Sequence, residues 1–239
     1  MAEFQTQTVG ASAGLAIDAG LRAYMNKIYG LMSVAMVVTG GVAWSVGTSP
    51  AMINLFIGSP LRWVVLIALF VMSFALPTMV NRMSVGAAQL AFYVYAALFG
   101  ILMSSIFVVY TQASIAQTFL VTAIAFAGLS IYGYTTKRDL SAMGTFALMA
   151  VWGLIVASIV NMFMQSSALN FAISAFGVVV FSGLTAWDTQ KLKSDYVAHA
   201  RSGDEEWIGK SAVLGALNLY LDFINMFMYM LRFLGNSRN

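Results

Sequence analysis

Apolar residues are gathered along the chain into seven blocks of about 20 residues, each long enough to carry a helix across the roughly 30 Å hydrocarbon core of a bilayer. They run approximately over 28 to 47, 61 to 80, 86 to 109, 115 to 134, 141 to 164, 168 to 187 and 211 to 234. Little more than Asn81-Arg82-Met83-Ser84 separates the second block from the third, and only Gln165-Ser166-Ser167 the fifth from the sixth. Neighbouring helices must therefore be antiparallel hairpins. The pattern predicts an all-α membrane protein with three parts: a polar cytoplasmic amino-terminal segment over 1–27, a seven-helix membrane bundle over 28–234 and a short tail over 235–239.

Composition narrows the function classes. Of 239 residues 60% are apolar and only 9% are charged, with a mean hydropathy of +0.83. A soluble globule would carry about 25% charged residues. Twelve Lys and Arg against nine Asp and Glu are too few to coat a phosphate backbone, so no nucleic-acid partner is expected and the lipid bilayer is the first partner. The absence of cysteine excludes disulfides, thiolate catalysis and Cys-ligated metals, and the single His199 argues against a histidine-rich metal site. No cofactor is expected.

The distribution of basic residues sets an expected orientation. A cytoplasmic amino terminus puts Arg22, Lys27, Arg82, Lys137, Arg138, Lys191, Lys193, Arg201 and Lys210 inside, leaving Arg62, Arg232 and Arg238 outside. The first 27 residues lack the short apolar core and cleavage site of a signal peptide, so the first span is expected to be retained as the insertion signal. Seven spans leave the carboxyl terminus outside, where Arg232 and Arg238 fit poorly. The last segment is therefore either a full span or re-entrant.

An ionisable side chain within a span costs several kcal/mol and faces a bundle interior or a water path. Asp222 lies near the middle of the last span, and steps of three and four residues from it reach Asn218, Asn225 and Tyr229, a polar stripe on an otherwise apolar helix. Apolar remaining faces make this helix look buried on all sides, as a central post would be. Asn218, Asn225 and Tyr229 are either interhelical hydrogen-bonding groups or part of a polar path.

Asp188 closes the sixth block, with Thr185, Phe181, Gly177 and Ser174 on its helical face. It is either a second membrane acid or a solvated boundary residue paired with Lys191 and Lys193. At 1.5 Å per residue Asp222 would sit about 16 Å inside its span and Asp188 near the interface. Pairing them requires a tilted last helix or a water cavity. Two carboxylates that do meet in a low-dielectric site share a proton and, when both are ionised, offer oxygens to a hard cation such as Ca²⁺. Arg82, alone at its corner, is either an orientation anchor or an electrostatic latch. The segment 188–210, with Asp195, Asp204, Glu205 and Glu206 among basic residues, reads as a solvated loop.

Three motifs then stand in a familiar order: Tyr132-Gly-Tyr-Thr-Thr-Lys-Arg-Asp-Leu140, Leu184-Thr-Ala-Trp-Asp-Thr-Gln-Lys191 and Leu219-Tyr-Leu-Asp-Phe-Ile-Asn-Met-Phe227. Together they resemble the transmembrane Bax inhibitor motif family, over essentially the whole chain from about Ala23. The resemblance implies six helices around a central seventh, in a bacterial inner-membrane protein. It also implies a pH-sensitive calcium leak whose two acids fall on Asp188 and Asp222, with the family's latch arginine on Arg82. Ca²⁺ would then be the permeant ion, bound transiently by Asp188 and Asp222, with protons as the second ligand. Some bacterial relatives also modulate a membrane-anchored ATP-dependent protease, so an interaction protein regulating survival or proteolysis is the alternative. An intramembrane aspartyl protease is the remote one: Leu219-Tyr-Leu-Asp222 lacks the Gly-x-Gly-Asp context, and no Pro-Ala-Leu follows. Serine proteolysis lacks a membrane histidine, a retinal receptor lacks a lysine within the spans, and no enzymatic activity is expected.

Overall fold

A backbone in hydrocarbon must satisfy its own polar groups, and a helix does so within each segment. The computed structural model describes residues 2–199 and 204–236, with side chains from Ile17 onward, and it is helical almost throughout. Seven long helices carry the fold: α1 (Ala2–Gly47), α2 (Leu61–Met79), α3 (Val85–Met103), α4 (Gln112–Thr135), α5 (Ser141–Met164), α6 (Ser167–His199) and α7 (Glu205–Leu234). Each contains a stretch long and apolar enough to span a membrane. The turns are closed by side chains that cap the following helix. Ser84 accepts from the Ala87 N–H, Thr111 from Ser114 and Asp204 from Trp207. Asp139, between the spans, is held below the usual carboxylate range by Ser141, first through its side chain and then through its N–H, which donates at 2.9 Å. Pro77 does not break α2, which ends two residues later in a 3₁₀ turn over Val80–Arg82.

Seven spans are as expected, but their ends differ in two places. Residue 28 marks no boundary, because α1 is continuous through it and Leu21, Tyr24, Met25 and Ile28 are buried. Those four recur at three- and four-residue spacing, an apolar stripe that polar neighbours hide in the average over 1–27. The second difference matters more. Residues 188–199 continue α6 as one helix, and α7 is already helical at Glu205, so the expected loop over 188–210 shrinks to the few residues between them. Leu192 and Tyr196, one and two turns beyond Asp188, are buried and keep that extension on the bundle. Arg201 lies outside the described residues.

α7 is the central helix. Its apolar window is 67% buried, against 11–39% for the other spans. It packs on α6, α1, α4, α3 and the turn after α2, while α2 and α5 complete the surround by lying on α3 and α6. Glycines bring the axes together: the backbone of Ala186 in α6 lies against Gly133 of α4, and the Tyr229 ring of α7 against Gly177 of α6. α7 also runs the full depth of the bundle. At one end the Lys210 ammonium donates to the Asn81 carbonyl at 2.9 Å; at the other, Asn236 accepts from the Thr111 N–H and donates to Ser114 Oγ. A re-entrant segment would not join both ends, so the last helix is a full-length one. It is not enclosed on every side, because Asn218 is exposed along one edge.

Candidate functional site

The register of α6 against α7 is set by interlocking side chains. Leu192 fills the space beside Gly215, Ser182 Oγ donates to Met226 Sδ at 3.5 Å, and Phe181 stacks on Tyr229 with ring centroids 5.7 Å apart. This register puts Asp188 opposite the turn that carries Asp222, with the two carboxyl groups within hydrogen-bonding reach. Because α6 continues to His199, Asp188 lies about 16 Å from the end of its helix.

Ionised carboxylates only accept hydrogen bonds, so a bond between two of them needs a proton on one. Asp222 is 5% exposed and its Oδ2 is enclosed without a partner, whereas Asp188 is half-buried. The nearby hydroxyls do not supply that oxygen: Thr185 and Thr189 donate to carbonyls one turn back in α6. Lys191, one turn beyond Asp188, lies over the Trp187 ring at 5.2 Å. Among the described residues no third acid or histidine joins the pair. Two carboxylates offer at most four oxygens, fewer than the six to eight a resident Ca²⁺ takes. A cation here would keep part of its water.

The other expected residues are placed separately. The polar stripe on α7 is not a connected network: Asn218 is exposed, Asn225 Nδ2 donates to the Leu221 carbonyl at 2.8 Å, and Tyr229 packs its ring between Phe181 and Arg232. The three share a helical face but have different surroundings, which i and i+4 spacing alone does not reveal. Arg82 is exposed in its 3₁₀ turn and makes no ion pair with any described carboxylate. The basic side chain that ties this corner to the central helix is Lys210, which also pairs with Glu206 at 2.7 Å.

Three contacts that the sequence reading missed hold this arrangement. Gln190, two residues past Asp188, clasps the α4–α5 turn by accepting from the Leu140 N–H at 2.9 Å and donating to the Arg138 carbonyl at 2.8 Å. Lys193 donates to the Tyr134 carbonyl at 2.8 Å. Two of the quoted motifs thus meet in space, a relation no spacing within either could show. On the opposite side of α7, the buried Tyr220 hydroxyl lies 2.7 Å from Thr39 Oγ1, which donates to the Ala96 carbonyl of α3 at 2.9 Å. A tyrosine and a threonine within apolar blocks were the available signal, but their pairing spans 181 residues.

Comparison with known proteins agrees with this architecture. Over 221 residues the chain is 45% identical to the inner membrane protein YbhL of Escherichia coli (strain K12), covering 92% of this chain and 94% of the relative. It is 40% identical over 239 residues to RP147 of Rickettsia prowazekii, covering all of both, and 40% identical over 225 residues to YrjE of Lactococcus lactis, covering 90% and 92%. The family model described as "Inhibitor of apoptosis-promoting Bax1" matches residues 21–239. A seven-helix membrane bundle with a central last helix and a match over nearly its whole length make this chain a member of the Bax inhibitor family of multi-pass membrane proteins.

Proposed function

We propose that the chain is a proton-sensitive Ca²⁺ leak pathway of a bacterial inner membrane, with a cytoplasmic amino terminus and with Asp188 and Asp222 as its sensor and ion-binding acids. The observation that carries this reading is the carboxyl pair inside the bundle, one member enclosed and left with an unsatisfied oxygen. A purely structural acid is expected to find partners, since an orphaned buried polar group costs about 1–3 kcal/mol. Two ionised carboxylates about 4 Å apart repel by roughly 4 kcal/mol at an effective dielectric constant of 20. Either a proton or a divalent cation relieves that repulsion, so the two compete, and acidification weakens cation binding at the pair. In this reading Arg82 is an orientation anchor, and no covalent chemistry is involved.

The test is Ca²⁺ flux into proteoliposomes across a pH series, with wild type beside Asp188→Asn and Asp222→Asn at matched reconstitution. The expected result is a pH-dependent flux that both substitutions alter. Flux unchanged in both variants would overturn the assignment. No flux in any sample would favour the interaction protein, acting on a partner such as a membrane-anchored ATP-dependent protease.

A further inference from the structure

The helices around α7 do not close completely. α1 packs on α3, α6 and α7, and α4 on α6 and α7, but no extensive contact joins α1 to α4. Between them lies a cavity of about 1260 Å³, floored by Phe223, Ile224 and Phe227 of the central helix. That exceeds the roughly 300–1,000 Å³ of small-molecule pockets. Its walls are graded. Beyond Met32 they are mainly apolar, with Ser33, Thr39 and Gln112 as the polar members, whereas the end nearest the Tyr134 turn carries Arg22, Asn26 and Ser130. Ser130 is 5% exposed and its Oγ has no hydrogen-bond partner. Arg22 is exposed and makes no ion pair with a described carboxylate, Asp18 one turn before it included. Lys27, Lys137 and Arg138 are exposed at the same end of the bundle.

From these observations we infer that the α1–α4 groove is a binding site for one anionic glycerophospholipid, its acyl chains along the apolar walls and its phosphate at Arg22. Two arguments select this occupant. The groove opens sideways between two membrane helices, so the bilayer itself supplies the ligand. Basic pockets between membrane helices favour anionic headgroups, and this one places an unpaired guanidinium at the mouth of an apolar channel. The site is separate from the Asp188–Asp222 pair and stands whether or not that pair conducts ions.

Native mass spectrometry of the purified full-length protein tests the inference, using dioleoyl phosphatidylglycerol and dioleoyl phosphatidylcholine as probes. Wild type is expected to retain one phosphatidylglycerol in preference to phosphatidylcholine. Arg22→Gln, an exposed change, should lower that retention about fivefold, the factor for one interfacial cation near an anionic lipid, and remove the headgroup preference. Ala127→Trp, at an exposed position within the groove, should abolish retention of both lipids. Equal retention of the two lipids by wild type, or unchanged retention in both variants, would overturn the site, as would a polypeptide adduct displaced by neither lipid. If Ala127→Trp does not fold, Arg22→Gln and the headgroup comparison still decide the question.

Discussion

Thr39→Val is expected to destabilise the bundle more than Tyr220→Phe, although each deletes one side of the same hydrogen bond. The Tyr220 hydroxyl and Thr39 Oγ1 are 2.7 Å apart, and the Thr39 proton is already committed to the Ala96 carbonyl at 2.9 Å, so Tyr220 is the donor between them. Removing the phenolic oxygen deletes one bond and strands no donor. Interhelical hydrogen bonds in membrane proteins average about 0.6 kcal/mol, with a maximum near 1.7. Thr39→Val keeps the side-chain shape but leaves the Tyr220 O–H without an acceptor, in a residue that is 0% exposed and ringed by Phe92, Tyr95 and Phe99. That stranded donor adds a desolvation penalty of about 1–3 kcal/mol. The double variant should cost little more than Tyr220→Phe alone, because nothing is then left stranded. Reversible unfolding in mixed micelles, followed by circular dichroism, gives the four free energies of the cycle. A Thr39→Val cost equal to or below that of Tyr220→Phe, or additive effects in the double variant, would refute the reasoning. The bond also bears on the acid pair, since Tyr220 and Asp222 lie on opposite faces of α7 and the first helps fix the rotation that aims the second at α6.

Gly133→Ala should destabilise by about 1–3 kcal/mol, because its new methyl would meet the backbone carbonyl of Ala186, which cannot rotate away. Gly30→Ala, with open space around it, should cause no loss in the same unfolding assay. Gln190→Ala should speed hydrogen exchange at the Leu140 amide roughly fivefold, the effect of losing one acceptor worth about 1 kcal/mol. Unchanged exchange there would mean that the clasp between α6 and the α4–α5 turn does not hold in the membrane.

The number of helices, their order and their antiparallel hairpins were legible in the chain alone, because an apolar run about 20 residues long with no breaker has one stable form in hydrocarbon. So was the anomaly of Asp222, since a carboxylate amid Leu, Phe and Ile is costly wherever the helix is placed. Helix ends were less legible. The extension through Leu192 and Tyr196 mixes charged and apolar residues, and only packing against α7 and α1 decides that it stays helical. That extension keeps Asp188 within a continuous helix packed along α7. The meeting of the two acids, the Gln190 clasp, the Tyr220–Thr39 bond and the gap between α1 and α4 all depend on how separate helices are rotated and slid against one another. Glycines and ring contacts distant in sequence fix that register, so the chain determined which chemistry could enter the membrane, and the tertiary structure decided which groups would face each other there.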